Sequence, residues 1–464
     1  MGRGDAPYLR YLMEEKTPII EDLRGLVAQP SVSAENIGME ECAELLAQMM
    51  RRAGIEARIY RTPGFPIVHG EVRGEDARRT ILVYGHYDVQ PVDPIGEWRF
   101  DPFAARVEGN RLYGRGAADN KGQFFTQVKA VEVLLATAGT CPVNVKFLFE
   151  GEEEVGSPNL ARFVEDHRDL VAADTFFRSD GNKHESGLPL VKLGQKGMLY
   201  LELSTVAGSR DLHSSRSTVA VNPVWRLIDA LTSMYDRQGW RVSIDGFYDR
   251  VQPVTSKDRE FISSIPFSQE KVEADMGRKV RPGLDDGSEY YEAFLLTPHL
   301  TVSGIHAGYG GSGVKTIVPR EASAKLDFRL VPQQDPESIE RLVRRHLDAL
   351  GLADINVKVL AKIRPARTPS DHPYVGRVID SLRSIYGSEP VVYPSSEGSG
   401  PAYIFREILS LPMVIVPCAQ FDCNMHAPNE NIEVDGMMRG IELFIDLMYR
   451  ESRVVDGAQG RDSQ

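Results

Sequence analysis

The chain has 464 residues, with 54 basic and 66 acidic side chains and a formal net charge of −12. Apolar residues make up 42% and charged residues 26%, a composition that excludes disorder as the main state and, at roughly 150 residues per domain, predicts two or three folded domains. The acidic balance, without a local basic stripe, argues against nucleic-acid binding. No apolar run approaches the roughly 20 residues of a membrane-spanning helix, so we expect no membrane segment.

The N-terminus and the cysteines both favour a cytoplasmic location. Residues 1–6 have none of the apolar segment found in secretory signals. Four cysteines are too few for a disulfide framework and are expected to be reduced thiols. Cys418 and Cys423 could form half of a metal site, but the sequence has no second pair to complete it.

The first 200 residues alternate between predicted strands and helices. Short apolar runs indicate strands that are buried on both faces of a parallel sheet. Between the first two runs, apolar residues recur at helical spacing from Phe124 to Leu135, and Gly139 is placed to end that helix. The apolar runs are residues 80–84, 143–149, 175–177 and, much later, 411–416.

From about residue 198 the pattern changes to strands with one apolar face. Apolar and polar residues alternate in 199–204 and again in 323–330. Helices are predicted to begin at Asn222 and Asp335, because each precedes a proline that suits the first helical position. One-sided strands with helices on one face are typical of an α+β domain.

We therefore predict an α/β fold in which a mostly parallel sheet, flanked by helices, is interrupted by an inserted α+β domain. The larger domain would comprise residues 1–197 and 369–464, and the insertion residues 198–368. The segment 364–369, rich in proline and arginine, has the composition of a linker where the chain returns to the larger domain.

Candidate metal ligands follow the predicted buried strands. His86, Asp180 and His426 come after strands, Asp119 lies in a glycine-rich turn before a helix, and four acids fall within residues 150–154. Taken singly, each has a structural explanation, such as a helix cap or a solvated acidic turn. Ligands bind beyond the carboxyl ends of strands in open α/β sheets, however, and neighbouring carboxylates repel one another unless a cation is present.

Two histidines and several carboxylates without a thiolate suit zinc or a neighbouring first-row ion. Two such ions, bridged by one carboxylate, can generate hydroxide and polarise a carbonyl, so the set predicts a metal-dependent hydrolase. Residues 308–313 match a dinucleotide-binding fingerprint, but a strand-like run follows where a helix is required. Ser399 resembles a nucleophile elbow without the strand–turn–helix context.

At these motifs the chain resembles the dinuclear metallopeptidase family that includes carnosine dipeptidase, cytosolic non-specific dipeptidase, aminoacylase and succinyl-diaminopimelate desuccinylase. The motifs occur in order, and the resemblance covers nearly the whole chain. It implies a catalytic domain with an inserted lid and dimerisation domain. The matching segments are Gly85–Asp88, Gly114–Gly122, Glu150–Glu154, Ser179–Asp180 and His426–Glu430.

The resemblance implies two divalent ions per subunit, with zinc as the first expectation and manganese or cobalt as alternatives. By this resemblance Asp119 bridges the two ions. His86 and Asp180 would bind one of them. Glu154 and His426 would bind the other.

The resemblance also assigns roles in catalysis. Glu153 would be the general base that takes a proton from the bridging water and returns it to the leaving amine. Asp88, two residues past His86, would orient that imidazole. The family carries a cis peptide bond after its bridging aspartate, which here would join Asp119 and Asn120.

The insertion matches the dipeptidase branch of the family more closely than the deacylase branch, in residues 313–320 and 328–332. In that branch the residues matching Thr316 and Arg329 help to hold the substrate. Arg329 would grip a carboxylate with two nitrogens, and a surface arginine without a ligand is the alternative.

Two further substrate residues are implied outside the insertion. Ser399 aligns with a serine in a loop whose amides receive the substrate carboxylate. The loop Glu397–Pro401 departs from the family's usual Gly-Gly-Ser-Ile-Pro. His372 is a weaker match in the same pocket.

His213 lies in the insertion and has two interpretations. A turn histidine could simply bond its own loop. In the dipeptidase branch, the matching histidine reaches across a homodimer and stabilises the oxyanion in the neighbour's site. The resemblance therefore implies a homodimer through the insertion, with His213 acting in the partner's site.

We predict a metal-dependent hydrolase that cleaves the amide bond of dipeptides or short peptides with a free C-terminal carboxylate. An N-acyl-amino-acid deacylase with the same metals and base is the alternative among enzymes. A non-catalytic scaffold that kept the fold is the alternative outside them. The partners expected are a small peptide or acyl-amino acid and a second copy of the chain.

Overall fold

The computed structural model describes residues 6–454. Within this range the chain forms 14 α-helices and 21 β-strands. The helices are α1 (Pro7–Glu14), α2 (Lys16–Ala28), α3 (Met39–Arg52), α4 (Lys121–Ala138), α5 (Leu160–Asp166), α6 (Arg168–Val171), α7 (Pro223–Ser233), α8 (Ser256–Ser263), α9 (Gln269–Met276), α10 (Gly287–Leu296), α11 (Pro336–Ala349), α12 (Pro373–Tyr386), α13 (Ala402–Leu409) and α14 (Val434–Glu451). The strands are β1 (Glu56–Tyr60), β2 (Ile67–Val72), β3 (Gly74–His86), β4 (Arg106–Glu108), β5 (Arg111–Tyr113), β6 (Cys141–Glu150), β7 (Thr175–Arg178), β8 (Leu190–Lys192), β9 (Gly194–Gln195), β10 (Gly197–Val206), β11 (Leu212–His213), β12 (Tyr235–Asp236), β13 (Arg241–Val242), β14 (His299–Ala307), β15 (Ile317–Val318), β16 (Glu321–Leu330), β17 (Asn356–Ile363), β18 (Ala366–Arg367), β19 (Val391–Tyr393), β20 (Met413–Ile415) and β21 (Asn431–Glu433).

An eight-stranded sheet forms the centre of the larger domain, in the order β1-β2-β6-β3-β7-β20-β8-β19. Its four central strands, β6, β3, β7 and β20, pair in parallel. These are the four strands that the apolar runs predicted. The α/β fold class is therefore confirmed, with antiparallel pairing of β1 with β2, β2 with β6 and β8 with β20.

Helices cover both faces of this sheet because its strands are apolar on both sides. Val83 packs into the cluster that contains α4 and α14, whereas Leu82 and Tyr84 pack into the cluster on the opposite face with α5 and α13. Helix α4 ends as predicted at Gly139, whose φ of +76° suits a residue without a side chain. The parallel pairing brings the carboxyl ends of β3, β6 and β7 to one edge of the sheet.

A second, antiparallel sheet lies in the predicted insertion, in the order β14-β16-β10-β17. Leu199, Leu201 and Leu203 of β10 are buried on the face that α7 and α11 cover. The predicted N-caps are confirmed: Asn222 accepts a hydrogen bond from the amide of Val224, and Asp335 accepts one in the first turn of α11.

The predicted domain boundaries at residues 198 and 368 remain a prediction, and one part of the insertion contacts the larger domain. Residues of α8 and α10, such as Ile262 and Leu295, pack against Leu190 of β8 and Val391 of β19. The expected linker contains strand β18, which pairs with β9, so the two crossings of the chain lie side by side. No helix in the described part of the chain is long and apolar enough to span a membrane.

Candidate metal centre

Two groups of potential metal ligands meet at the carboxyl edge of the central sheet. His86, Asp119 and Asp180 form the first group, which we call the inner triad, and Asp119, Glu154 and His426 form the second, the outer triad. Within each triad the ligand atoms lie within 4.8 Å of one another. The structure therefore brings together all five residues that the resemblance named, and it places Asp119 in both groups.

The carboxylate of Asp119 faces the two triads with different oxygens. Its Oδ1 lies 3.2 Å from His86 Nε2, and its Oδ2 lies 2.8 Å from His426 Nε2. His426 Nε2 is in turn 3.5 Å from Glu154 Oε2. The peptide bond from Asp119 to Asn120 is cis, as the resemblance implied. This geometry suits a carboxylate that binds two ions at once.

Glu430 holds the turn that carries Asp119. Its carboxylate accepts hydrogen bonds from the backbone amides of Gly116, Ala118 and Asp119, at 3.1, 2.8 and 2.9 Å. Arg115 Nη1 donates to the same carboxylate at 2.8 Å, and both side chains are buried. Four charge-assisted donors on one carboxylate fix the backbone of the turn. The sequence motif contained Glu430. Its contact with Asp119, which is 311 residues away in the chain, could not be predicted from that motif.

Asp88 links two of the strand ends. Its carboxylate accepts hydrogen bonds from the amides of Glu153 at 3.2 Å and Glu154 at 3.0 Å. Its Oδ1 also lies 3.4 Å from His86 Nδ1, which is 3.1 Å from the Asp88 carbonyl oxygen. A proton on Nδ1 would leave Nε2 free to bind a metal ion. Asp88 therefore contacts His86 and holds the acidic turn, and its role in orienting the imidazole stays a prediction.

The charges of the cluster favour positive partners. Contacts with Asp119 and Glu154 raise the pKa of His426 to about 10. Burial disfavours the charged form of His86, but Glu153, Asp119 and Asp88 outweigh it and raise its pKa well above the ordinary value. Burial likewise opposes ionisation of Asp119, yet the two imidazoles hold its pKa well below the usual range. The carboxylates of the site therefore stabilise positive charge, here that of the two imidazoles.

Two buried ligand atoms make no regular hydrogen bond. Among residues 6–454, neither His86 Nε2 nor Glu154 Oε1 makes a hydrogen bond of regular geometry. Leaving buried polar atoms unpaired costs about 1–3 kcal/mol each, so such atoms call for a ligand. Imidazole nitrogens and carboxylate oxygens are the donors that zinc and neighbouring first-row ions accept. The residues present therefore fit two divalent ions.

Glu153, the predicted base, lies at the edge of this cluster. Its backbone is held by Asp88, and its Oε1 accepts a hydrogen bond from Arg178 Nη2 at 2.9 Å. Arg178 also forms an ion pair with Asp180. Sequence reasoning missed Arg178. The available signal was a charged residue at the end of a buried strand, on the same strand face as Asp180 two residues later.

Two of the predicted substrate residues meet near the site. Arg329 Nη1 donates to Ser399 Oγ at 3.0 Å, across the boundary between the insertion and the larger domain. Asp327 holds the other side of the guanidinium, with Oδ2 3.1 Å from Nε and 3.0 Å from Nη2. Glu397 belongs to the same loop as Ser399, and its Oε1 lies 3.4 Å from Nζ of Lys192 on β8. The arginine is thus oriented towards the serine loop before any ligand binds.

The other predicted residues lie elsewhere. His213 and Thr316 share a two-stranded ribbon, where β11 pairs with β15 and the Ser214 amide donates to the Thr316 carbonyl oxygen at 3.1 Å. Both side chains are exposed, and His213 Nδ1 lies 2.9 Å from Ser215 Oγ in its own turn. His372 caps α12 and lines a groove between α8 and α12, apart from the metal ligands.

A carboxylate–imidazole cluster at the carboxyl edge of an α/β sheet, able to hold two ions, is the arrangement of a metal-dependent hydrolase. Comparison with known proteins narrows this class. The chain belongs to peptidase family M20/M25/M40, whose sequence profile matches residues 82–450. It is accordingly a metallopeptidase.

Individual relatives agree with this assignment. The chain is 28% identical to human Beta-Ala-His dipeptidase over 391 residues, covering 82% of this chain and 76% of the relative. It is 27% identical to the Cys-Gly metallodipeptidase dug1 of Schizosaccharomyces pombe, covering 84% and 83%. Its structure matches the M20 family metallo-carboxypeptidase Sso-CP2 of Sulfolobus solfataricus with a TM-score of 0.86 and 37% identity, over 95% of this chain and 100% of the other.

We expect protein that is reconstituted with zinc and desalted to carry close to two metal equivalents per chain, measured by elemental analysis. Asp119→Asn should lower this to one or fewer, because an amide is a poorer ligand and the residue belongs to both triads. Asp348→Asn, the same change on the exposed side of α11, is the matched control and should keep both ions. One equivalent or fewer in the wild-type protein would contradict the shared-ligand geometry.

Proposed function

We propose that the protein hydrolyses the amide bond of dipeptides or short peptides that end in a free carboxylate. The inner and outer triads would hold the two ions, with Asp119 common to both. When bound there, two divalent ions would activate a water molecule and polarise the scissile carbonyl group. The protein side chains around them would bind the substrate, orient it and move the proton.

Glu153 is the proposed general base. It follows β6 next to the ligand Glu154, and Asp88 holds the backbone amides of both residues. Glu153 Oε1 accepts a hydrogen bond from Arg178, and within the described residues Glu153 Oε2 accepts none. This oxygen would accept the proton of the attacking water and deliver it to the leaving amine, as general bases do at hydrogen-bond distance.

The contact between Arg329 and Ser399 carries the proposal of a substrate with a free carboxylate. A guanidinium whose Nε and Nη2 are held by Asp327 presents Nη1 to the serine loop, where its positive charge and N–H groups would attract a carboxylate. Two relatives are named dipeptidases and one is named a carboxypeptidase. By those names, they act on peptides at a free C-terminal carboxylate. A deacylase with the same site remains the alternative, because it would use the same metals and base.

The cysteines support the choice of metal and location. All four are free and buried, and none belongs to either triad. Burial raises the pKa of Cys418 and of Cys423 to about 11, so both stay protonated and do not compete for the ions. We therefore propose zinc, or manganese or cobalt, bound by imidazole and carboxylate, in a cytoplasmic enzyme whose thiols stay reduced.

A substrate panel tests the function. Chelated protein, reconstituted separately with zinc, manganese and cobalt, is assayed with dipeptides, their C-terminal amides, N-acyl-amino acids and peptides of three to five residues. We expect dipeptides to be cleaved and their amides to react at least roughly 10²-fold more slowly, since an amide loses the charged contact with Arg329. Preference for N-acyl-amino acids would favour the deacylase, and release of one C-terminal residue from longer peptides would favour a carboxypeptidase.

Glu153→Gln should keep both ions but lose most turnover, because an amide cannot accept the proton from water. Loss of a general base commonly lowers kcat by about 10²–10⁴-fold. Metal content by elemental analysis and kcat for a cleaved dipeptide are measured on the same sample. Glu165→Gln, on the exposed face of α5, is the matched control and should keep the wild-type rate. Retained activity in Glu153→Gln would mean that another acid is the base.

We further propose a homodimer through the insertion. Strand β14 is an edge of its sheet, and Val302 and Ile305 on it are exposed. Trp225 on α7 and Val219 just before it are 65% and 84% exposed. Exposed edges invite pairing, and contiguous apolar surface marks protein interfaces. A two-fold dimer over this surface would let the ribbon with His213 reach the partner's site.

His213→Ala should fold, dimerise and bind metal but turn over slowly, because the lost donor can be worth about 3 kcal/mol to the oxyanion. Mixing it with Glu153→Gln under conditions that exchange subunits should restore some activity, since one site of each heterodimer then has both residues. Native mass spectrometry verifies the exchange. His346→Ala, on α11, should be active alone. Verified exchange without recovered activity would exclude the cross-subunit role.

A further inference from the structure

Arg178 joins the proposed base to a proposed metal ligand. It is the last residue of β7, and its side chain is 3% exposed. Its Nη2 donates to Glu153 Oε1 at 2.9 Å and also contacts the carboxylate of Asp180. One guanidinium nitrogen carries two N–H groups, so a single nitrogen can serve both acids.

The sheet holds the guanidinium in place. Tyr84 is the neighbour of Arg178 in the β3–β7 pairing, and its ring lies under the guanidinium, 5.2 Å from Cζ. The Tyr84 hydroxyl donates to Glu150 at 2.5 Å, and Ser157 Oγ donates to the same carboxyl group at 2.8 Å. The arginine is therefore stacked on a ring that is itself fixed, which limits its freedom of rotation.

The remaining nitrogens of Arg178 lie close to the loop that carries Ser399. Within residues 6–454, Nε and Nη1 make no hydrogen bond although both are buried. A Cβ atom added to Gly400 would come within 3.3 Å of Nη1, so the absence of a side chain there leaves room for the guanidinium. Glu153, Ser399 and Gly400 line one cavity of about 110 Å³. A purely structural ion pair would have no reason to lie between the base and the substrate loop.

We propose that Arg178 is a positioning residue that fixes Glu153 for proton transfer and ties it to Asp180. This proposal rests on the proposed function, in which Glu153 is the base. Without the cation, two neighbouring carboxylates would repel and Glu153 would rotate away, and a misplacement of about 1 Å can cost roughly 10²-fold in rate. Lysine would supply the charge but not the planar fork.

Arg178→Ala and Arg178→Lys test this role. We expect kcat for a cleaved dipeptide to fall roughly 10²-fold in Arg178→Ala and less in Arg178→Lys, with KM within about threefold of wild type. Both should retain the wild-type metal content and cooperative unfolding. Arg79→Lys is the control. Arg79 is a half-buried arginine on the same strand as Tyr84, it pairs with Asp174 and Glu451, and its replacement should keep the wild-type kcat.

Chemical rescue gives a readout that a structural defect would not produce. Guanidinium at non-denaturing concentration should raise the kcat of Arg178→Ala with saturation, whereas urea, planar but uncharged, should not. Loss of metal from both variants would instead mean that Arg178 supports Asp180. A raised KM at unchanged kcat would mean that it contacts substrate. Either result overturns the proposal.

A double-mutant cycle separates this proposal from the function itself. If Arg178 acts through Glu153, adding Arg178→Ala to Glu153→Gln should change the residual kcat by less than about twofold. Full activity of Glu153→Gln alone would overturn the assignment of the base. If Glu153→Gln is inactive but Arg178→Ala has the wild-type kcat, only the proposed role of Arg178 is overturned.

Discussion

Mutual repulsion among carboxylates at the ends of parallel strands is the constraint on which this structure depends. Asp119, Glu154 and Asp180 converge within a few ångströms in a largely buried place, which is unfavourable unless cations lie among them. The neighbouring acids are neutralised differently. Glu430 pairs with Arg115 and holds backbone amides, and Asp88 holds the amides of the next strand end. The acids of the two triads are left as the candidate metal ligands.

The two parts of the chain contribute different groups to the site. The larger domain supplies the five candidate ligands and the proposed base, and the parallel pairing of β3, β6 and β7 places those that follow these strands. The insertion supplies Arg329, which meets Ser399 of the larger domain. A substrate carboxylate bound there would therefore contact both parts, and its binding energy would help to hold them together around the reacting amide.

Local signals explain what the sequence could predict. The central strands were predictable because buried parallel strands are continuous apolar runs. His86 and Asp180 were predictable as candidate site residues because ligands bind where such strands end. The contacts of Glu430 and Arg178 could not be predicted, because their partners are distant in sequence and their roles depend on tertiary geometry. The packing of α8 and α10 on β8 and β19 was missed for the same reason, since periodicity identifies an apolar face but not its partner.

The unequal enclosure of the two triads has a kinetic consequence. The inner triad is buried apart from the edge of Asp180, whereas the imidazole of His426 in the outer triad is 52% exposed. His426 also has a φ of +59°, a backbone conformation that is uncommon for a residue with a side chain. An ion in the outer position would be open to solvent past the imidazole of His426, whereas an ion in the inner position would be enclosed by protein. The outer ion would therefore exchange faster, and the inner ion would be the last to leave.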